Sequence, residues 1–245
     1  MSLDKNIKSQ FKHSGDEKKQ FVEKMFDDIS PNYDFLNRLL SFGIDIYWRK
    51  QFIKSLNIQN QCTLLDVACG TGDIGFSILK KYNIRLINID ISSKMLEQAE
   101  KKAQNNNISG IKFIKGDAEK LPLEDNSVDY LSIAYGFRNI GHYDIALKEF
   151  YRVLKPGGTL GILEFSKPRV KIAGSIFNFY FHNVLPKIGS LFSRTDAYQY
   201  LPESVDFFPT RKSICDKIEN SGFQKTLFSD LTFGISTIFL AYKDA

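Results

Sequence analysis

The sequence has 245 residues, long enough for one sizeable domain. Hydrophobic residues make up 43% and charged residues 25%, which excludes a disordered chain, and no apolar run reaches the roughly 20 residues of a membrane-spanning helix. The net charge is +5, and three cysteines cannot form a closed disulfide framework. The N-terminus has no apolar core of a secretory signal, so we expect a cytoplasmic protein.

The N-terminal quarter is predicted to be a tail followed by helices. Residues 1–20 are polar and carry both charge signs, and we expect them to form a flexible tail. Amphipathic spacing then predicts three short helices within 21–60. The first ends at Ser30-Pro31, the second covers Tyr33–Leu40, and the third begins at Asp45 as its N-cap.

After Asn60 the pattern changes to alternating strands and helices. Strands are predicted at Thr63–Cys69, Ile84–Asp90, Ile111–Lys115, Val128–Tyr135 and Thr159–Phe165, with helices at Asp73–Lys81, Ser92–Asn105 and Tyr143–Leu154. This order predicts a mostly parallel sheet with helices on both faces. A further helix, Thr210–Ser221, precedes two C-terminal strands, Phe223–Ser229 and Ile235–Tyr242, which must pair antiparallel because their connection is too short for a crossover. The fold class is therefore α/β, with one domain over 21–245.

The first predicted strand leads directly into a glycine-rich loop. Gly70, Gly72 and Gly75 satisfy the pattern G-x-G-x-x-G, and Asp90 ends the second strand. Glycines in such a loop let the backbone approach a ligand closely, and the acidic residue accepts hydrogen bonds from a ribose. The loop therefore predicts a Rossmann-like nucleoside site.

Carboxylates around this loop indicate which nucleoside ligand fits. Asp66, Asp73 and Asp117 follow or end the predicted strands at the same edge of the sheet. They would repel the pyrophosphate of NAD but attract an ammonium and a sulfonium group. S-adenosylmethionine carries both groups and a ribose diol, without phosphate, so the sequence favours it as the cofactor.

A competing signal is the spacing of Tyr151 and Lys155, which short-chain dehydrogenases use for proton transfer. Tyr151 falls on the apolar stripe of its predicted helix, and Lys155 ends that helix just before Pro156. We interpret the pair as a packed tyrosine and a C-terminal lysine, which disfavours a dehydrogenase.

Several motifs resemble a known family. The glycine loop, Gly116-Asp117-Ala118 and Arg152–Gly158 are similar to those of class I methyltransferases. More specific segments resemble the menaquinone/ubiquinone biosynthesis C-methyltransferases, namely Met25–Asp34, Gly136–Asn139, Leu163–Pro168 and Tyr198–Ser204. The resemblance spans Phe21 to the C-terminus. It implies a Rossmann-like class I methyltransferase fold with an N-terminal helical segment and a helical substrate lid over 167–207.

The resemblance also implies the reaction and the donor site. The reaction would be methyl transfer from S-adenosylmethionine to a ring carbon of a prenylated quinol. The segment Leu231–Ile235 resembles menaquinone-type members and favours demethylmenaquinol as the acceptor. A benzoquinol precursor of ubiquinone stays open as an acceptor. Ala134 stands where members that also make ubiquinone often have serine. With the residues of the glycine loop, the predicted cofactor-binding set is Tyr33, Asp66, Gly70, Thr71, Gly72, Asp90, Asp117, Ala118 and Ala134.

The predicted catalytic residues are Arg138, Asn139 and Tyr200. Arg138 is the candidate partner of the substrate phenolate, and its alternative is a salt bridge that holds the following loop. Asn139 would hold Arg138 or the substrate, or cap the next helix. His182 is a further candidate base. We expect no metal, because none of the three histidines has a metal-ligand spacing.

The aromatic and basic stretch Ile172–Phe192 is interpreted as a lid over the prenyl tail of the substrate. Its lysines and arginines would be available to anionic lipid headgroups. The alternative is a helical insertion whose aromatic side chains belong to the hydrophobic core. Peripheral contact with the inner face of a membrane and a homo-oligomer are both compatible with the sequence.

A nucleic-acid methyltransferase is disfavoured because Ala134–Arg138 replaces the Asn/Asp-Pro-Pro-aromatic motif of the base-amino enzymes. A catalytically silent quinone-binding module is disfavoured by the intact glycine loop.

Overall fold

The computed structural model describes residues 11, 13–187, 197–224 and 226–244. Most of the tail predicted over 1–20 and the segment 188–196 of the predicted lid therefore lie outside the described residues. Within the described ranges, no helix is both long enough and apolar enough to cross a membrane.

A seven-stranded sheet forms the centre of the molecule, in the order β3-β2-β1-β4-β5-β7-β6. Its strands are β1 Thr63–Val67, β2 Arg85–Asp90, β3 Ile111–Lys115, β4 Val128–Ala134, β5 Leu154–Phe165, β6 Leu227–Leu231 and β7 Ser236–Tyr242. The first five strands are parallel to one another, whereas β7 is antiparallel to both β5 and β6. The predicted mostly parallel sheet with antiparallel C-terminal strands is confirmed.

Nine helices of the described chain surround this sheet: α1 Gly15–Ile29, α2 Tyr33–Leu40, α3 Ile44–Ser55, α4 Asp73–Leu79, α5 Ser93–Asn105, α6 Tyr143–Val153, α7 Lys171–Phe179, α8 Ala197–Asp206 and α9 Arg211–Asn220. Leu64 and Leu65 are adjacent in β1 and point into opposite apolar layers, because successive side chains of a strand alternate between faces. One layer packs under α3, α4 and α5 and the other under α6 and α9. A third apolar cluster joins α1, α2, α7 and α8.

Helix α1 begins earlier than the sequence predicts. Residues 15–20 form its start, so the prediction of a flexible tail is wrong for them. Lys18 lies there and is fully buried, with Nζ donating to the backbone carbonyl oxygens of Arg138 at 2.6 Å and Ile140 at 2.8 Å. Hydropathy could not reveal this, because a lysine can be buried when carbonyl oxygens from a distant turn satisfy its ammonium group.

Two other element boundaries differ from the prediction. Gly43, with φ +76°, precedes α3 in place of the predicted N-cap, so Asp45 lies inside the first turn, where it is buried. Strand β5 begins at Leu154 instead of residue 159, because Val128 of β4 pairs with Leu154 across a bulge.

Candidate active site

A cleft of about 680 Å³ opens at the carboxyl edge of the parallel strands, where α/β proteins bind their ligands. The loops that follow β1, β2, β3 and β4 line it, and α1 and α2 cover it with Lys19, Val22, Phe26 and Tyr33. We call it the donor cavity. Six residues of the predicted cofactor-binding set line it together: Tyr33, Gly70, Asp90, Asp117, Ala118 and Ala134.

Asp90 links the end of β2 to the glycine loop. Its carboxylate accepts hydrogen bonds from the backbone N–H groups of Gly70 at 2.8 Å and Ser92 at 2.9 Å. Burial raises the pKa of Asp90 to about 6, since the charged form loses hydration. The carboxylate is therefore fixed by the loop and faces the cavity, as an acceptor for a ribose diol requires.

Asp66, Thr71 and Gly72 lie just outside the cavity lining. Asp66 is buried beneath the loop, where it accepts a hydrogen bond from Ser132 Oγ at 2.7 Å, and burial raises its pKa to about 7. The Thr71 hydroxyl donates to Asp34 Oδ1 at 2.6 Å. Gly72 adopts φ +81° as the N-cap of α4, and a Cβ atom there would lie 2.6 Å from Cζ of Phe76. In this structure the three residues shape the loop instead of bordering the cleft.

The acidic residues after β3 are paired with α1. Lys19 Nζ lies 3.0 Å from both Asp117 Oδ2 and Glu119 Oε2. Both lysines of this helix segment thus contact the site, Lys18 through the backbone of the Arg138 turn and Lys19 through the cavity wall. The N-terminal helix is part of the donor site.

A second and larger cleft of about 1200 Å³, the acceptor cavity, lies beside the first. Its walls are mainly aromatic and aliphatic, with contributions from α1, α2, α3 and the predicted lid, including Phe177, Phe181 and Leu185. Phe26, Tyr33 and Tyr135 line both cavities. The two cavities therefore adjoin at these three side chains.

Arg138 is buried in the wall of the acceptor cavity. Its Nη1 donates to Glu164 Oε1 at 2.8 Å and to the Tyr135 carbonyl at 2.6 Å, and its Nε donates to Ser204 Oγ at 3.2 Å. The salt bridge expected as the alternative is present, and the same side chain lines the acceptor cavity; its role as partner of a substrate phenolate stays a prediction. Because the ion pair fixes the guanidinium, its charge is held in place beside the cavity.

Asn139 and Tyr200 connect the two cavities. The Tyr200 hydroxyl donates to Asn139 Oδ1 at 3.2 Å; Tyr200 lines the acceptor cavity, and Asn139 lines the donor cavity. The structure thus brings together all three predicted catalytic residues, although their roles stay predictions.

The base candidate His182 lies elsewhere. It is exposed, its Nε2 is 2.9 Å from Asp206 Oδ2, and it is absent from the lining of both cavities, so nothing in the geometry supports a role as base. Tyr151 packs edge-on against Phe223 and Lys155 pairs with Asp129, which fits the packing interpretation of that pair. Among the residues that the structure describes, no group of three or more His, Cys, Asp or Glu could hold a metal ion.

Sequence reasoning missed four polar residues around the acceptor cavity. Asp45, Arg49 and Tyr135 line it, and Glu164 holds Arg138 from behind. Arg49 is paired with Asp73, the first residue of α4. The sequence does place Asp45 and Arg49 four residues apart on α3, and therefore on one helix face. No neighbouring residue or motif indicates that this face borders a ligand.

Comparison with known proteins supplies the family. A family model described as the ubiE/COQ5 methyltransferase family matches residues 12–243. The chain belongs to this family. A relative from Geotalea daltonii, named ubiquinone/menaquinone biosynthesis C-methyltransferase UbiE, is 42% identical over 93% of this chain and 98% of its own. A demethylmenaquinone methyltransferase from Chlorobaculum tepidum is 42% identical over 91% of this chain and 92% of its own.

Solved structures support the fold of this ubiE/COQ5 family member. A crystal structure of a SAM-dependent methyltransferase from Aquifex aeolicus superposes with a TM-score of 0.62 at 20% identity, covering 93% of this chain and 99% of that chain. The [4+2]-cyclase SpnF superposes with a TM-score of 0.71 at 18% identity, covering 95% and 98%. The predicted Rossmann-like class I fold is confirmed, and the family establishes an enzyme that takes S-adenosylmethionine as its methyl donor.

Proposed function

We propose that this enzyme transfers a methyl group from S-adenosylmethionine to a ring carbon of a prenylated quinol, with demethylmenaquinol as its acceptor. The observation that carries the proposal is the junction of the two cavities at Tyr33 and Tyr135. The donor cavity offers carboxylates to a cationic nucleoside, and the acceptor cavity offers apolar walls to a ring and its prenyl chain. The names of the two relatives agree with this chemistry.

Most of the predicted residues have a role in this proposal. Asp90 accepts hydrogen bonds from the ribose, Asp117 and Ala118 border the adenine, and the glycine loop holds the methionine end, with Asp66 and Thr71 supporting that loop. Arg138 stabilises the negative charge that develops on a quinol oxygen as the ring carbon attacks. Asn139 and Tyr200 position that oxygen between the cavities. An arginine supplies charge here and not proton abstraction, because a guanidinium stays protonated.

Turnover with two reduced acceptors in detergent tests the proposal. Labelled S-adenosylmethionine is offered with demethylmenaquinol and, separately, with the demethylated benzoquinol precursor. We expect methylation of the naphthoquinol. Methylation of the benzoquinol alone would contradict the choice of acceptor, and donor binding without transfer to either quinol would contradict the proposed function.

We also propose that the acceptor cavity opens toward a membrane surface. Phe42 lines this cavity and is nevertheless 82% exposed, so it stands at the mouth, where it contacts Tyr180. Phe35, Leu39 and Phe179 are further exposed apolar side chains, on α2 and α7. A prenyl chain that leaves the cavity here passes directly into apolar surroundings if this edge touches lipid.

Flotation with liposomes tests the membrane contact. We expect the wild-type protein to float with vesicles that contain anionic lipid, and Phe42→Asp to reduce the bound fraction severalfold. Ile145→Asp is the matched control, because Ile145 is an exposed apolar residue on α6, away from the cavity. Equal flotation of wild type and both variants would refute a contact through Phe42.

A further inference from the structure

The acceptor cavity contains a carboxylate to which the proposed chemistry so far gives no role. Asp45, in the first turn of α3, lines the cavity and is only 5% exposed. Its Oδ1 accepts a hydrogen bond from Ser41 Oγ at 2.7 Å. Its Oδ2 is buried and has no hydrogen-bond partner among the described residues.

The surrounding cations do not satisfy this oxygen. Oδ2 lies 3.5 Å from Arg49 Nη2 and 3.9 Å from Arg38 Nε, and neither contact is a hydrogen bond. Arg49 is directed instead to Asp73, with which it makes a hydrogen bond through Nη1. A buried acceptor without a donor costs free energy, so such groups are rare unless a ligand supplies the donor. A hydroxyl group of a ligand in this cavity would supply such a donor.

Other candidate bases near the cavity already have partners. Glu164 Oε1 accepts from Arg138 Nη1 and from the Phe165 N–H, and Oε2 accepts from the Arg138 N–H. His182 is paired with Asp206 outside the cavity. Among the described lining residues, Asp45 is the one carboxylate, and none is a histidine.

Asp45 lines the same cavity as Tyr135, one of the side chains at the junction with the donor cavity. Burial raises the pKa of the Tyr135 phenol, and the negative charge of Asp45 adds to this effect. Tyr135 lines both cavities. A quinol hydroxyl that reaches Asp45 is therefore in the cavity that adjoins the donor cavity at Tyr135.

We infer that Asp45 accepts the proton of the quinol hydroxyl next to the ring carbon that is methylated, an assignment that rests on the proposed function. The O–H bond breaks and its proton passes to Oδ2. The released electron pair delocalises onto the adjacent ring carbon, which bonds to the donor methyl as the methyl–sulfur bond breaks and leaves a neutral thioether. The ring carbon then loses its hydrogen to water as a proton, Asp45 returns its proton to the oxygen, and one proton is released per turnover.

The two arginines of the cavity assist this transfer. A carboxylate is a much weaker base than a phenolate, so the proton moves only if the phenolate is stabilised as it forms. Arg49 and Arg138 both line the cavity and supply that positive charge. Asp45 is thus a catalytic residue, and Ser41 orients its carboxylate.

Asp45→Asn tests the assignment, because it keeps the shape of the side chain and removes the proton acceptor. With demethylmenaquinol and saturating donor, we expect kcat to fall about 10²- to 10⁴-fold, the usual contribution of a general base. The Kd of S-adenosylmethionine, measured by calorimetry on the variant, is expected to stay within about twofold of wild type. Asp45→Glu, which keeps a carboxylate, is expected to recover much of the rate, and Asp144→Asn is the control for an exposed aspartate.

A series of acceptors separates proton transfer from a positioning role. Fluorinated naphthoquinols have more acidic hydroxyl groups and depend less on a base, so the deficit of Asp45→Asn is expected to shrink along the series. A kcat near that of wild type, or a deficit that is equal for all acceptors, would overturn the assignment while the proposed function stands. Failure of the wild-type enzyme to methylate any of these quinols would overturn the proposed function itself, and the assignment with it.

Discussion

Arg138 Nη1 lies 2.8 Å from Glu164 Oε1, and both side chains are buried. Glu164 stands near the end of β5 and Arg138 in the turn after β4, so the pair joins two neighbouring strands at the edge of the sheet where the cavities meet. Glu164 also accepts the backbone N–H of Arg138. The carboxylate therefore fixes both the side chain and the main chain of a residue that lines the acceptor cavity.

We predict that Glu164→Gln lowers both stability and activity. Removing one charge of a buried pair leaves the other uncompensated, which typically costs about 3–5 kcal/mol of unfolding free energy. Chemical denaturation measures this loss, and kcat is expected to fall because the guanidinium is no longer held. Lys217→Ala is the control, since its pair with Asp144 is partly exposed and should change stability by less than about 1 kcal/mol. Equal effects of the two changes would contradict the role of the Arg138–Glu164 pair.

We predict that Lys18→Met disturbs the same turn from the other side. Lys18 Nζ donates to the carbonyl oxygens of Arg138 and Ile140, and burial lowers its pKa to about 8. Losing the ammonium removes the donor of the buried Ile140 carbonyl, whereas the Arg138 carbonyl keeps a hydrogen bond from the Tyr143 hydroxyl at 3.1 Å, so we expect a cost of about 1–3 kcal/mol for the group left unsatisfied. Thermal unfolding measures the loss of stability, and kcat measures the effect of disturbing the turn that holds Arg138. Lys24→Met, an exposed change on the same helix, is expected to alter neither; a wild-type value of kcat for Lys18→Met would contradict the prediction.

Two glycines with similar backbone angles are predicted to respond differently to alanine. Gly157→Ala, at φ +75° with open space around it, should cost about 1–2 kcal/mol for the left-handed conformation alone. Gly72→Ala, at φ +81°, pays the same cost and also forces the ring of Phe76 to move, which adds about 1–3 kcal/mol. Calorimetry is expected to show weaker donor binding for Gly72→Ala and wild-type binding for Gly157→Ala. Unchanged donor affinity in both would refute the role of Gly72 in shaping the donor loop.

The affinity for S-adenosylmethionine is predicted to fall as the pH drops through about 6, the pKa of Asp90 in the folded protein. The ionised carboxylate attracts the cationic donor and accepts the ribose hydrogen bonds more strongly, so each pH unit below this value costs up to about tenfold in affinity. Asp90→Asn should bind more weakly and lose this component of the pH dependence. Asp66, with a pKa of about 7, titrates in both wild type and Asp90→Asn. The difference between their pH profiles of donor affinity therefore reports the titration of Asp90.

The free energy of unfolding of the ligand-free protein, relative to that of Asp90→Asn, is expected to rise as the pH drops, whereas the affinity for S-adenosylmethionine falls. Because the pKa of Asp90 is about 6 when folded and 3.8 in an unperturbed carboxyl, the folded protein takes up a proton first as the pH falls. As the pH falls from 7 to 4, the free energy of unfolding of the ligand-free protein therefore rises relative to that of Asp90→Asn. Denaturation curves at several pH values measure this difference, and a constant difference across the range would contradict the raised pKa.

The α/β class, the glycine loop with Asp90, and the position of Arg138 and Asn139 at the carboxyl edge of the sheet all follow from the sequence alone. These features are local: each lies where a parallel strand ends, and parallel strands bring their carboxyl ends to one edge of the sheet. Their shared location therefore follows from strand order without knowledge of any side-chain contact.

Which residues complete the site depends on how distant elements pack together. Lys18 lies in a polar segment that hydropathy assigns to a tail, and its acceptor at Arg138 is 120 residues away. Asp45 has the pattern of an N-cap, yet it faces a cavity that forms only when α1, α2, α3 and the segment around Phe177 pack together. Pairing of buried polar groups is a property of elements distant in sequence, so periodicity and local motifs cannot reveal it; the packed structure does.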